Sequence, residues 1–69
     1  MISNIFTFQS VGAFPNGYVK IYAKNAEACR NEMFRLFHDR WAFQYANEKD
    51  AGVEEFNLTL IETYYAREY

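Results

Sequence analysis

The strongest hydrophobic pattern in the chain repeats every three to four residues and begins after Asn25. Its apolar members share one side of a helical turn, and they are Ala26, Cys29, Met33, Leu36 and Phe37. Polar and charged residues fill most other positions up to Asp39, so the pattern predicts an amphipathic helix with one buried side. Asn25 is expected to cap this helix, because its side-chain oxygen can accept a hydrogen bond from the first turn.

Four further segments alternate apolar and polar residues with a period of two, which is typical of strands buried on one face. They are residues 2–9, 18–23, 41–45 and 58–67. The last segment is compatible with a helix or a strand, and its threonines, isoleucine and adjacent tyrosines favour the strand. Asn47 and Gly52 flank the sequence EKDA, so a single capped helical turn is expected between the third and fourth strands.

These elements predict an α+β domain of order ββαββ, in which one helix covers one face of an antiparallel or mixed sheet. Three side chains of the second strand are expected to meet the helix: Val19, Ile21 and Ala23. The opposite face is expected to be left uncovered, and it carries Ile5, Tyr18, Lys20, Tyr22 and Ile61. Because uncovered apolar groups favour association, we expect a homo-oligomer joined through this face or through an edge strand.

The length is consistent with a single domain spanning residues 1–69, in which residues 64–69 form an aromatic tail. A chain of 69 residues hides only about 60% of the surface that it exposes when unfolded, so the aromatic content of 20% adds needed buried area. Residues 10–17 predict a hairpin loop with Phe14 at its tip. This ring is expected either to fold onto the core or to close over a ligand.

Charge and composition argue against several classes of protein. A net charge of −2 disfavours a protein that binds DNA or RNA polymers, where a basic surface is expected. Cys29 is the only cysteine, which excludes an internal disulfide and favours a reducing compartment. The chain has no basic leader and no run of 18 apolar residues, so we expect a cytoplasmic protein without a membrane span.

No grouping of residues predicts catalysis. Cys29 and His38 lie on different sides of the predicted helix, so they suit neither a zinc site nor a nucleophile and base pair. Glu54 and Glu55 are adjacent and would point to opposite faces of a strand, which does not suit acid–base chemistry. We therefore expect a protein that is not an enzyme and that uses no metal or cofactor.

Five residues are candidates for ligand binding: Tyr18, Lys20, Tyr22, Arg40 and Trp41. The two tyrosines flank the lysine on one strand face, with a repeat of about 7 Å. That face is either a solvated surface, with tyrosines favoured by β propensity, or a platform that stacks a planar or phosphorylated ligand. Arg40 and Trp41 stand at the corner between helix and strand, where the arginine can reach an anion at the sheet edge.

Several short motifs follow one another along the chain: FTF, GYVKI, a helix containing A-C-R-x-x-M-F-x-x-F, WAFQY and D-A-G-V-E. In this combination the sequence resembles a group of short phage and Firmicutes proteins, from Phe6 to Glu62. Those proteins usually have a glycine near the position of His38, and often one at that of Asn57. Both departures are compatible with left-handed turns, because asparagine tolerates that conformation and histidine does so less readily.

The resemblance implies a phage counter-defence protein that acts in the host cytoplasm. Such proteins either sequester a nucleotide second messenger or block a host defence protein. Sequestration would use a pocket in an oligomer, where Tyr18, Tyr22 and Trp41 stack on bases and Lys20 and Arg40 meet phosphates. The alternatives are a protein–protein inhibitor that uses the same tyrosines as anchors, and a small structural phage protein.

Overall fold

The computed structural model describes residues 1–8 and 16–66. Its elements in chain order are β1 (Ile2–Thr7), β2 (Gly17–Ala23), α1 (Ala26–Phe37), β3 (Phe43–Tyr45), α2 (Glu48–Ala51) and β4 (Thr59–Tyr65). The predicted α+β class and ββαββ order are confirmed, and the predicted EKDA turn is α2. Neither helix in this part of the chain is long and apolar enough to cross a membrane. Phe14 lies outside the described residues.

The four strands form one mixed sheet in the order β3-β1-β2-β4. β1 is antiparallel to both of its neighbours, whereas β4 is parallel to β2. β3 and β4 therefore run in the same direction at opposite edges of the sheet. Because parallel strands cannot be joined by a tight turn, the chain between them crosses a sheet face. Residues 46–58, which include α2, form this crossover.

α1 packs on one face of the sheet and closes the core. Asn25 caps it as predicted, since its Oδ1 accepts a hydrogen bond from the N–H of Ala28 at 2.8 Å. The core consists of Phe6, Phe8, Val19, Ile21, Ala23, Cys29 and Met33. Side chains therefore alternate along β2 as predicted, with three buried beneath the helix and Tyr18, Lys20 and Tyr22 half-buried on the opposite face.

The prediction that the second sheet face is uncovered is wrong. Ile5 and Thr7 share that face with Lys20 and Tyr18, their partners on β2, yet their exposed fractions are only 0% and 2%. α2 lies over this region and contacts β1 and β3, and its Glu48 forms an ion pair with Lys20. The crossover takes this path because α1 already occupies the other face.

The segment from 58 to 67, for which helix and strand were both considered, contains the strand β4. Tyr64 and Tyr65 are its last residues, and the N–H of Ala66 donates to the carbonyl oxygen of Tyr22 at 2.8 Å. Tyr64 also makes an edge contact with Phe37 of α1, with ring centroids 6.2 Å apart. β4 thus includes Tyr64 and Tyr65 of the segment expected to form a tail, while residues 67–69 lie outside the described residues.

Two turns use backbone conformations that favour glycine. His38 ends α1 with φ 57° and ψ −118°, and Asn57 precedes β4 with φ 53°. Left-handed turns were considered at both positions, and the backbone of each has positive φ. The ψ of His38 lies outside the left-handed helical region, so this residue is the less favourable of the two.

Candidate functional site

The structure separates the five predicted binding residues instead of bringing them together. Tyr18, Lys20 and Tyr22 lie on the sheet face that α2 partly covers. Trp41 lies on the α1 face, where its ring meets Phe6 edge-on with centroids 5.1 Å apart. Because the sheet stands between the two groups, one small ligand cannot contact both of them within a single subunit.

Lys20 is already engaged by a carboxylate. Its Nζ donates to Oε2 of Glu48 at 2.9 Å and lies 5.5 Å from the ring centroid of Tyr22. The hydrogen bond to Glu48 raises the pKa of the Lys20 ammonium, and the same bond lowers the pKa of the Glu48 carboxyl. A phosphate that approached Lys20 would have to compete with this partner and would be repelled by its charge.

Tyr22 stacks on a residue that the sequence did not associate with it. The rings of Tyr22 and Tyr65 lie 5.0 Å apart and nearly parallel, at 9°. They are neighbours because β4 pairs with β2 in a register that places these two residues side by side. Tyr65 is 67% exposed, so one side of this tyrosine pair is open to solvent.

Trp41 belongs to an aromatic cluster that also contains an arginine. Phe34 meets the Trp41 ring edge-on, with centroids 5.3 Å apart, and the indole N–H donates to the carbonyl oxygen of His38 at 3.1 Å. The Cζ of Arg30 lies 5.1 Å from the ring centroid of Phe34 and 5.2 Å from that of Trp41. Arginine stacked on aromatic faces is held in place while its N–H groups stay available.

This cluster lines a groove between α1 and the β3 edge, which we call the α1–β3 groove. Its volume is about 870 Å³. Its lining is mostly apolar, and the side chains that shape it include Arg30, Phe34, Trp41, Phe43 and Tyr45. Phe34 and Phe43 are 40% and 51% exposed. Exposed aromatic rings beside an arginine are typical of surfaces that bind other molecules.

Two carboxylates, Glu27 and Asp39, also line the α1–β3 groove. Among the residues that the structure describes, neither carboxylate forms an ion pair. Arg30 is the single cationic side chain among the described residues of the lining, so the formal charge that these residues give the groove is negative. Such a groove favours a neutral or basic ligand over a phosphorylated one.

Arg40 is exposed at the corner between α1 and β3. Its backbone N–H donates to the carbonyl oxygen of Phe37 at 3.0 Å, which helps to shape the turn that positions Trp41. Its side chain is not part of the groove lining. The geometry thus supports a structural role for the Arg40 backbone.

Sequence reasoning missed Arg30, Phe34 and Tyr65 as candidate residues. Arg30 and Phe34 stand four positions apart on α1, a spacing that places them on one helix surface and could have indicated their contact. Trp41 contacts these two residues because the turn after α1 directs its side chain towards the helix, and the spacing along the sequence does not indicate this. Tyr65 could be linked to Tyr22 only once the pairing of β4 with β2 was known.

Chemistry at Cys29 is restrained by its surroundings. The thiol is fully buried, and its Sγ donates to the carbonyl oxygen of Ile21 at 3.3 Å. Burial raises the pKa of the thiol, so little thiolate forms near neutral pH. Within residues 1–8 and 16–66, no three His, Cys, Asp or Glu side chains are grouped to hold a metal ion.

Comparison of the chain with known protein families, with curated proteins and with solved structures gives no match.

Proposed function

We propose that this chain is a binding protein without catalytic activity, and that its α1–β3 groove holds an apolar and basic segment of a partner protein. The contact of Arg30 with both Phe34 and Trp41 carries the proposal. Tryptophan, tyrosine and arginine are the residues that most often dominate protein interfaces, especially where aromatic rings are fixed before binding. In the α1–β3 groove, the rings of Phe34 and Trp41 and the guanidinium of Arg30 contact one another and are partly exposed.

The charge of the groove supports a protein partner over a nucleotide. Glu27 and Asp39 would repel phosphates, whereas a lysine or arginine of a partner would pair with them. An apolar side chain of the same partner would cover Phe34 and Phe43, whose exposure is otherwise unfavourable.

The resemblance to short phage proteins supports a setting for this activity. We propose that the chain acts in the host cytoplasm as a counter-defence protein that occludes a defence factor. This part of the proposal depends on the motifs FTF, GYVKI, WAFQY and D-A-G-V-E. If the counter-defence role is refuted, the proposal that the groove binds a partner segment still stands. Deletion of the gene would test it, since loss of a counter-defence protein lowers phage growth only in hosts that carry the defence.

A displayed library of random peptides tests the specificity of the groove. We expect selection by the immobilised protein to enrich aromatic or aliphatic residues next to lysine or arginine, and to deplete aspartate and glutamate. Synthetic versions of the selected peptides can then be titrated while the fluorescence of Trp41 is followed. Trp41 is the only tryptophan, so a shift of its emission reports occupation of the groove itself.

Two double variants with the same change in net charge provide the matched comparison. Glu27→Gln with Asp39→Asn removes the carboxylates of the groove, whereas Glu54→Gln with Glu55→Gln removes two exposed carboxylates near α2. The first pair is expected to weaken peptide binding by about tenfold, since each exposed charge pair contributes up to about 1 kcal/mol. Equal weakening by both pairs, or selection without basic and apolar enrichment, would overturn the proposal.

Nucleotide sequestration is the second candidate, and the stacked pair of Tyr22 and Tyr65 favours it. The open ring of Tyr65 can take a base, and the Lys20 ammonium lies beside the Tyr22 ring. A panel of cyclic and linear nucleotides in a thermal shift assay tests this reading. A rise in melting temperature that Tyr65→Leu and Lys20→Ala abolish, but Arg40→Ala leaves intact, would support sequestration on this face. No shift with any nucleotide would exclude it.

A further inference from the structure

β4 is an edge strand, and within the described part of the chain no other strand pairs with its outer rim. The N–H of Ala66 donates to Tyr22 on β2, so even-numbered residues near the end of β4 direct their backbone groups towards β2. Backbone groups alternate in direction along a strand, and those of Thr63 and Tyr65 therefore point away from the sheet. Ile61 lies at an irregularity in the register and has no partner on β2.

The side chains of β4 make this edge unusually apolar. Leu60, Ile61 and Tyr65 are 46%, 37% and 67% exposed. The strand TLIETYY has seven residues and contains neither proline nor lysine, so its edge protection is limited to Glu62 and the register irregularity near Ile61. β3, the opposite edge, has only three residues.

We propose that β4 pairs antiparallel with β4 of a second copy of this chain, across a two-fold axis at Thr63. In this register, Thr63 faces Thr63 of the partner subunit, and Ile61 faces Tyr65 of the partner subunit. A hydrogen-bonded antiparallel pair requires backbone groups that point away from the existing sheet. Those of Thr63 and Tyr65 do so, and Ile61 has no partner on β2. A β-branched residue opposite an aromatic ring is a favourable cross-strand pair.

The charge of Glu62 favours a two-fold axis at Thr63 over one at Glu62. A shift that placed the axis at Glu62 would bring the two Glu62 carboxylates directly opposite each other, and like charges in that position repel. An axis at Thr63 instead sets Glu62 opposite Tyr64 of the partner subunit. The strand thus complements itself in the register centred on Thr63, which favours a second copy over an unrelated strand.

Glu62 also controls access to the edge. Its Oε1 accepts a hydrogen bond from the N–H of Thr63 at 3.1 Å, so the carboxylate occupies the donor at the centre of the proposed pairing. Association requires this side chain to move away and leave the N–H to the partner subunit. We therefore expect Glu62→Ala to strengthen the dimer.

The resulting dimer would contain one continuous sheet. Its strand order would be β3-β1-β2-β4 in one subunit, followed by β4-β2-β1-β3 in the partner subunit. The α1–β3 grooves would lie at its two far ends, because β3 and β4 are opposite edges. The inference is independent of the proposed function, since peptide binding to a groove does not require the second copy.

Sedimentation of the full chain over a series from micromolar to millimolar concentration tests the association. The mass is expected to rise from one chain of 8.2 kDa to two. Ile61→Lys should raise the dissociation constant by about tenfold or more, because it places a charge on the pairing edge. Phe43→Lys, an equivalent change on the exposed part of β3, should leave it unchanged. A mass of one chain at all concentrations, or dissociation by Phe43→Lys instead, would overturn the proposal.

Disulfide trapping tests the register separately and does not depend on destabilised variants. Cysteines at paired positions are about 5.5 Å apart between Cα atoms, which is within the range that a disulfide spans. Thr63→Cys should therefore form a covalent dimer under mild oxidation, faster than Glu62→Cys. Cys29 is buried and does not compete. Faster trapping through Glu62→Cys would refute the axis at Thr63.

Discussion

Substitution of Gly52 by alanine tests how α2 is held over the second face of the sheet. Gly52 ends α2 with φ 75° and ψ 32°, and its N–H donates to the carbonyl oxygens of Glu48 and Lys49. A Cβ added at this position would lie 2.6 Å from Cδ2 and 2.7 Å from Cε2 of Phe56. The variant therefore meets two separate obstacles, an unfavourable backbone conformation and a steric clash.

The expected cost follows from these two effects. A left-handed conformation costs an alanine about 1–2 kcal/mol relative to glycine. Phe56 is 65% exposed, so its ring can turn away at a cost of about 0.5–1 kcal/mol for a less favourable rotamer. We expect Gly52→Ala to lower the free energy of unfolding by about 2 kcal/mol. This loss is large for a domain of 69 residues, whose total stability is on the order of 3–10 kcal/mol.

Urea denaturation of four chains separates the two effects: the wild type, Gly52→Ala, Phe56→Ala and the double variant. With a slope of about 1 kcal/mol per molar urea, Gly52→Ala should lower the midpoint by about 2 M. In the Phe56→Ala background the same substitution should cost only the backbone part, about 1–2 kcal/mol. Gly52→Asn in that background should cost still less, because asparagine tolerates the left-handed region.

Two results would refute this reasoning. A Gly52→Ala chain as stable as the wild type would mean that the residue does not hold a left-handed conformation. An equal cost in both backgrounds would mean that the Phe56 ring does not contact position 52.

Four other predictions concern individual side chains or one ion pair. Asn25→Ala should lower the free energy of unfolding by about 1 kcal/mol in urea titrations, whereas His38→Gly should raise it by about 1 kcal/mol, because the first removes a helix cap and the second relieves a positive φ. Iodoacetamide should label Cys29 in the native protein at least about a thousandfold more slowly than in the denatured chain, as mass spectrometry can measure, since labelling requires an opening that costs about 5 kcal/mol. The ion pair of Lys20 and Glu48 should contribute up to about 1 kcal/mol at pH 7. Because the pKa of Glu48 is lowered and that of Lys20 is raised, this contribution should be lost as the pH falls through the folded pKa of Glu48 or rises through that of Lys20. Lys20→Met should abolish the dependence at high pH and weaken that at low pH, where a backbone hydrogen bond of Glu48 still lowers its pKa.

Local signals in the sequence were sufficient to predict the elements and the main core. The alternation in residues 18–23 identified the side of β2 that packs against α1, because a strand turns successive side chains to opposite faces. Asn25, Asn47 and Gly52 marked helix ends correctly, because capping depends on residues within one turn. The period of three to four residues likewise placed Cys29 and Met33 in the core.

The tertiary structure alone decided where the candidate site lies. The turn from His38 to Ala42 can place the Trp41 side chain on either face of the sheet. No short sequence pattern specified that Trp41 would contact Arg30 on the α1 face. The burial of Ile5 depends on the path by which the crossover reaches β4, a choice made over the whole sheet. Periodicity describes which residues share a face of one element; what covers that face is set by packing between residues distant in sequence.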